Sequence, residues 1–253
     1  MKKLINWKIF FILLVLGLIS VVCVFPYVAT VSRDVLDKIG QPLFVIFIAQ
    51  LLQTAILFSF CIFWGLFFAR KINFKTPAIE AFLEKGGAAA VVNKTFPVAA
   101  LWGVIAAATI YALDIIFTRA GAGLSTHQDY APVWQKLLAA VYGGTSEEIL
   151  MRLFLMSFLV WLGTKIFKKS EPPKTIIIIS IIITAIIFGL GHLPITAALT
   201  TLTPLIITRA VILNGVGGVI FGWLYWKKGL EAAMIAHFTA DIFLLTLLPL
   251  LFK

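Results

Sequence analysis

The stretch Gly143-Gly144-Thr145-Ser146-Glu147-Glu148-Ile149-Leu150-Met151-Arg152 puts three ionisable groups where the neighbouring sequence is hydrocarbon. Leu-Leu-Ala-Ala-Val-Tyr at 137–142 precedes it and Leu-Phe-Leu-Met-Ser-Phe-Leu-Val-Trp-Leu at 153–162 follows, so the acids lie inside a membrane-grade helix, away from its ends. An unpaired charge at mid-bilayer costs roughly 2.5–3.5 kcal/mol on insertion scales, and such residues face a bundle interior, find partners and mark a working site. Glu148 and Arg152 are four apart, hence neighbours on one helix face and able to pair. Glu147 sits about 100° round the helix, with no partner in its own segment. A carboxylate held in a poorly hydrated place without a cation of its own is suited to general acid–base work.

Composition extends this reading to the whole chain. The 253 residues are 61% hydrophobic with a mean hydropathy of +1.05, and 13% are charged, against about a quarter in a soluble domain. Apolar runs long enough to cross a bilayer core, about 20 residues each, recur from one end to the other. The expected fold is all-α: a polytopic transmembrane helix bundle of about seven spans, or eight, with no separate soluble domain. The formal charge of +10 does not indicate nucleic acid, because the lysines and arginines lie between apolar runs and form no basic domain. They report topology instead. Cys23 and Cys61 each fall within an apolar run and read as buried thiols, with no disulfide framework or metal spacing. Met1-Lys2-Lys3 resembles the start of a signal peptide, but the apolar run is too long and no small-x-small site precedes Pro26, so an uncleaved first span is expected.

The spans are placed at 8–31, 43–68, 96–117, 137–164, 175–190, about 204–226 and 230–251. A mixed-charge loop with Arg33, Asp34, Asp37 and Lys38 follows the first. The polar segment 71–94 contains Ile79, Phe82 and Leu83 at helical spacing, which predicts a short amphipathic helix on the membrane, with Gly86-Gly87 as its stop. The segment 119–136, with His127, reads as a loop in which that histidine is solvated. Span four counts 28 residues, about 42 Å at helical rise, and must tilt, protrude or break at Gly143-Gly144. The stretch 195–204 is either re-entrant or the start of span six, in which Gly218 and Gly222 fit close packing. Arg209 and Asn214 read as structural partners of Asp114, Glu148 or Asp241. With the N-terminus inside, the cytoplasmic ends hold 14 of the 21 basic residues, including Lys2, Lys3, Lys85, Lys165, Lys227 and Lys228. This predicts a multi-pass protein of the cell membrane with a cytoplasmic N-terminus. Two regions are distinguished: N-terminal spans with a cytoplasmic loop at 1–132, and a membrane core that carries the chemistry at 133–253.

Polar groups of chemical interest fall on three spans: Glu147, Glu148 and Arg152 in the fourth, His192 at the end of the fifth, and His237 with Asp241 in the seventh. His237 and Asp241 are four apart, so the aspartate can orient the imidazole or share a ligand with it. Phe188 and His192 have the same spacing. A ruler along straight helices opposes their meeting, since His237 is about 13 Å from Lys228 while His192 is about 27 Å from Lys174.

Glu147-Glu148-x-x-x-Arg152, then Phe188-x-x-x-His192, then His237-x-x-x-Asp241, in this order and on separate membrane helices, resembles the CPBP family of intramembrane proteases. That family includes the type II CAAX prenyl endopeptidases and bacterial abortive-infection or bacteriocin-immunity proteins. The resemblance covers roughly 134–251, nearly half of the chain. It implies peptide-bond hydrolysis in the bilayer, with a catalytic set of Glu147, Glu148, His192, His237 and Asp241 and with Arg152 and Phe188 in support. Glu147 would activate water, assisted by His192, while His237 and the residue at Asp241 would polarise the scissile carbonyl or its oxyanion. Asn is frequent at that last position in the family, and an ionised Asp cannot donate a hydrogen bond as an amide can. Asp241 is then protonated, orients His237, or ligates a metal. A zinc ion held by Glu147, His192, His237 and Asp241 with a bound water is one reading. A metal-free scheme is preferred, because the Glu-plus-His activation needs no ion. The implied partners are membrane lipid and a hydrophobic peptide or membrane-protein substrate. Two rivals stand beside this: a non-proteolytic immunity or signalling adaptor with the same fold, and a proton- or ion-coupled carrier, against which no inverted repeat is found.

Overall fold

In hydrocarbon a backbone can satisfy its N–H and C=O groups only within itself, so each long apolar run becomes a helix. The structure, a computed structural model, describes residues 5–84, 86–123 and 131–251, and every regular element among them is helical. Seven helices are long and apolar enough to cross a membrane: Trp7–Val31, Leu43–Lys71, Ala88–Ala122, Val133–Ile166, Lys174–Leu199, Pro204–Lys228 and Leu230–Leu251. They are called spans one to seven below. The chain is thus a polytopic helical bundle with the expected number of crossings. Lys2, Lys3, Lys85, His127 and Lys253 lie outside the described residues.

Several boundaries differ from the sequence-based expectation. Span three begins at Ala88, eight residues before the expected 96, because the alanine-rich start is polar only at Asn93, Lys94 and Thr95. The loop after span one contains a helix, Arg33–Ile39, stapled by an exposed Arg33–Asp37 pair. Residues 195–199 belong neither to a re-entrant loop nor to span six. They continue span five as the helical segment Leu193–Leu199, and span six opens at Pro204, with Thr203 Oγ1 accepting from Ile206 N–H. The amphipathic helix forms at Pro77–Leu83, but Gly86-Gly87 does not end its last turn. It stops at Leu83, Gly86 N–H bonds back to Ala81 O, and Gly87, with φ of 82°, opens span three. Nor does this helix only lie on the membrane. Ile79 and Leu83 pack on the core, and Ile79 N–H donates to Glu231 Oε1 at 2.9 Å, tying the helix to the start of span seven.

Span four is the axis of the bundle. It runs unbroken through Gly143-Gly144, where a break was one of three alternatives, and widens into π-helical turns over Gly143–Glu147 and Ile149–Met156. Such turns cost hydrogen-bond geometry and are frequent at functional sites. Its Ile149, Leu153, Met156 and Val160 are fully buried, in a core shared with Leu13, Phe58, Ile62, Leu224 and Leu230. Spans five and six pack closely through small residues, as the glycine spacing implied: a Cβ on Gly218 would sit 2.7 Å from Ala185 Cα, and one on Gly189 the same distance from Val211 Cα. The isoleucines of span five divide by face. Ile178, Ile179, Ile182, Ile183, Ile186 and Ile187 are exposed, while Ile177, Ile181, Thr184, Ala185 and Phe188 are buried. The exposed face is the one lipid covers.

Candidate active site

The site is assembled where span seven crosses the wide turns of span four. Glycine makes the approach possible. A Cβ on Gly143 would overlap Asp241 Oδ2 and come within 3.2 Å of His237 Nε2, and one on Gly144 would sit 2.8 Å from the carbonyl of Met234. Gly103 of span three does the same from the other side, where a Cβ would strike Ala236 O. Span seven is therefore held between two glycine-bearing faces.

His237 is the hub. Its Nδ1 donates to Glu148 Oε1 at 2.8 Å, and its Nε2 lies 3.6 Å from Glu147 Oε2 and 3.7 Å from Asp241 Oδ2. Glu147, whose ion-pair partner is not the arginine of its own helix, thus acquires a cation from span seven whenever that imidazole is protonated. The ring of His237 stacks on Phe221, with centroids 4.5 Å apart and an interplanar angle of 20°, and meets Phe188 edge-on at 5.7 Å. Aromatic faces on two sides and a carboxylate at Nδ1 leave Nε2 as the edge directed at the two remaining acids. Those acids are about a fifth exposed, whereas Glu148 and Arg152 are fully buried.

Glu148 also lies 3.3 Å from Arg152, the pair expected from their spacing. The contact is an ion pair without hydrogen-bond alignment: Glu148 Oε2 and the three guanidinium nitrogens of Arg152 have no hydrogen-bond partner among the described residues. The guanidinium instead lies over the rings of Phe188 and Phe221, at 5.5 and 6.0 Å, an attraction that gains strength when desolvated. Arg152, Glu148 and His237 thus form one buried line that ends at the partly exposed acids Glu147 and Asp241.

His192 is joined to this group through Phe188. Its ring packs edge-to-face on Phe188 at 4.7 Å, and Nδ1 donates to the Phe188 carbonyl at 2.8 Å. The helical ruler had set the two histidines at different depths, yet both rings touch the same phenylalanine. Both reference lysines are exposed, but Leu230, two residues after Lys228, is already fully buried. Span seven therefore starts from a buried position, with the Leu230 N–H bonded to Lys75 O beneath the 77–83 helix. Among the described residues no hydrogen bond or ion pair links His192 to Glu147. The four residues considered for zinc do not gather as one ligand set, and no group of three His, Cys, Asp or Glu side chains among the described residues is disposed to hold a metal ion.

Other expectations resolve as structure. Arg209 pairs with Asp114 at 2.6 Å, which joins spans three and six, and Asn214 bonds to Ala210 O of its own helix. Cys23 and Cys61 are free thiols, the first only half-buried. Sequence reading missed three contributors. Phe221 forms a wall of the site, and its one signal was a large aromatic among small residues. Gly143 was considered only as one way to accommodate the length of span four, whereas it provides clearance for Asp241. Ser20 of span one bonds to Ser146, beside Glu147, and also to Gly17 O, with no pattern in the sequence to indicate it.

Residues 129–243 match the family model described as type II CAAX prenyl endopeptidase Rce1-like. No curated protein and no solved structure matches the chain. The matched segment is 115 of 253 residues, and it contains Glu147, Glu148, Arg152, Phe188, His192, His237 and Asp241. The resemblance first carried by three spaced motifs is thus met independently by a family-model match over the segment that holds the site, in a chain with seven helices long and apolar enough to cross a membrane, and the match supports a membrane protease in general.

Proposed function

We propose that this protein is an endopeptidase that hydrolyses peptide bonds of hydrophobic or membrane-associated peptides with a water activated by Glu147. The observation that carries the reading is His237 Nε2, directed at the carboxylates of Glu147 and Asp241 while Nδ1 is held by Glu148. In this scheme Glu147 takes a proton from water, and the hydroxide oxygen bonds to the scissile carbonyl carbon. The carbonyl oxygen becomes an oxyanion that accepts from His237 Nε2–H. Glu147 then passes its proton to the departing amide nitrogen, the C–N bond breaks, and a carboxyl and an amine are left.

Each neighbour has a part in that scheme. Glu148 keeps Nδ1 protonated as a donor, so that a second proton on the ring falls on Nε2. Arg152 offsets the charge of Glu148. His192, with Nδ1–H spent on a backbone carbonyl, presents Nε2 as an acceptor that assists in removing the proton from water. Asp241 orients His237 or, when protonated, adds a donor at the oxyanion. The region 133–253 forms the catalytic core in this reading, and spans one to three support it, in a cell membrane with the N-terminus on the cytoplasmic side.

The test is cleavage of a quenched hydrophobic peptide library by purified protein, wild type against Glu147→Gln. General-base catalysis accounts for about 10²–10⁴-fold, so the variant is expected to lose at least about a hundredfold in rate with its melting transition kept. Equal cleavage by both proteins would refute the assignment. Cleavage by neither, with a cellular phenotype that survives the substitution, would favour the adaptor.

A further inference from the structure

Span one is fastened to the wide turn of span four by two buried serines, and the direction of each proton follows from what its partner can accept. Ser20 and Ser146 are both fully buried, and their hydroxyl oxygens lie 2.5 Å apart across 126 residues. Ser20 Oγ also lies 2.7 Å from Gly17 O, and a carbonyl only accepts, so the one hydroxyl proton of Ser20 goes there. The bond between the serines is then made by Ser146 Oγ–H donating to Ser20 Oγ. Other hydroxyls in the spans, those of Thr109, Thr164, Thr208 and Thr239, donate to the carbonyl four residues back in their own helix. Ser146 donates to a neighbouring helix instead. Gly17 lies where spans two and four close in on span one: a Cβ there would overlap the ring of Phe58 and stand 3.6 Å from Ile149 Cδ1.

Ser146 is the residue before Glu147, in the turn Gly143–Glu147 that departs from α-helical spacing. π turns are rare and occur chiefly as single-turn bulges within α-helices, so the place of this one is set by its neighbours as well as by its own backbone. Span seven packs against it at Gly143 and Gly144, on Asp241 and Met234, and span one holds it at Ser146. The carboxylate that follows stands 3.6 Å from His237 Nε2, and a misplacement of about 1 Å at a reacting group can cost about a hundredfold in rate. We propose that Ser20 is a positioning residue for Glu147, holding the wide turn through Ser146 so that the carboxylate faces His237 Nε2. This rests on the reading that Glu147 activates the water. Neither serine transfers a proton in that scheme, and both act through where Glu147 stands.

The test pairs cleavage kinetics with hydrogen–deuterium exchange over the 143–148 backbone of the purified full chain, for wild type, Ser20→Ala, Ser20→Ala/Ser146→Ala, Glu147→Gln and Tyr225→Phe. Tyr225→Phe is the control, since it removes another buried hydroxyl bond of span four, between Ser157 and Tyr225 at 2.8 Å, further along the helix from Glu147. In Ser20→Ala the Ser146 proton is free to turn back on its own helix as the threonine hydroxyls do, and in the double variant no hydroxyl is left without a partner, so both should fold. Both are expected to lose at least about tenfold in kcat with KM within about twofold of wild type, and to exchange faster at 143–148. Tyr225→Phe should keep kcat and that exchange near wild type. A Ser20→Ala kcat equal to wild type would overturn the proposal. So would an equal fall in Tyr225→Phe, which would make the effect one of general packing in span four. Unchanged exchange at 143–148 in Ser20→Ala would overturn it without reference to cleavage. Full activity in Glu147→Gln would instead refute the base reading, an outcome that depends on neither serine.

Discussion

The carboxylate of Asp241 occupies the space that a Cβ on Gly143 would take. One residue belongs to span seven and the other to the wide turn of span four, so this contact sets how near His237 comes to Glu147. Ala is the better helix former by about 1 kcal/mol, and Gly143→Ala should therefore fold. Its added methyl must displace Asp241, so peptide cleavage is expected to drop by at least about tenfold with little change in melting temperature. Circular dichroism melts beside cleavage rates check this, and the methyl should cost much less activity when introduced together with Asp241→Ala.

The buried pair of Glu148 and Arg152 makes an asymmetric prediction. Glu148→Ala leaves a guanidinium uncompensated in the core, and breaking one side of such a pair typically costs about 3–5 kcal/mol. Replacing both residues by leucine removes the stranded charge and should recover most of that stability. It should not recover activity, because Nδ1 of His237 has then lost its acceptor. Denaturant melts of the single and double variants decide the first point, and cleavage rates the second.

At position 241 the contrast between two substitutions separates a donor role from an orienting one. An amide donates where an ionised carboxylate cannot, so Asp241→Asn should keep activity within about tenfold of wild type. Asp241→Leu should lose at least about a hundredfold in kcat, with KM nearly unchanged. If Leu is tolerated as well as Asn, the residue is not part of the oxyanion environment.

Because His192 stands apart from the other three residues considered for zinc, a chelator is expected to leave cleavage within about twofold of the untreated rate, since catalysis by a bound ion would be lost on its removal. Incubation with 1,10-phenanthroline or EDTA, followed by readdition of zinc, measures this. Loss on chelation with recovery on zinc would instead return Glu147, His237 and Asp241 to the role of ligands.

Much of this protein was legible without coordinates. Hydrocarbon runs fix helices because the bilayer leaves the backbone no other partner, so a count of about seven spans, or eight, came from the sequence and seven are found. Intramembrane charge is costly enough to be informative, and Glu147, Glu148, His192, His237 and Asp241 were singled out from it as candidates, with the pairing of Glu148 and Arg152 following from local spacing. What required tertiary structure was everything between helices. Their sequence separation carries no distance: the meeting of His237 with Glu148 across 89 residues, the stacking of Phe221 on the imidazole and the bond between Ser20 and Ser146 depend on how four helices cross. The depth of span seven was hidden for the same reason, because it is set by Lys75 O receiving the N–H of Leu230, a contact between two segments that no periodicity relates.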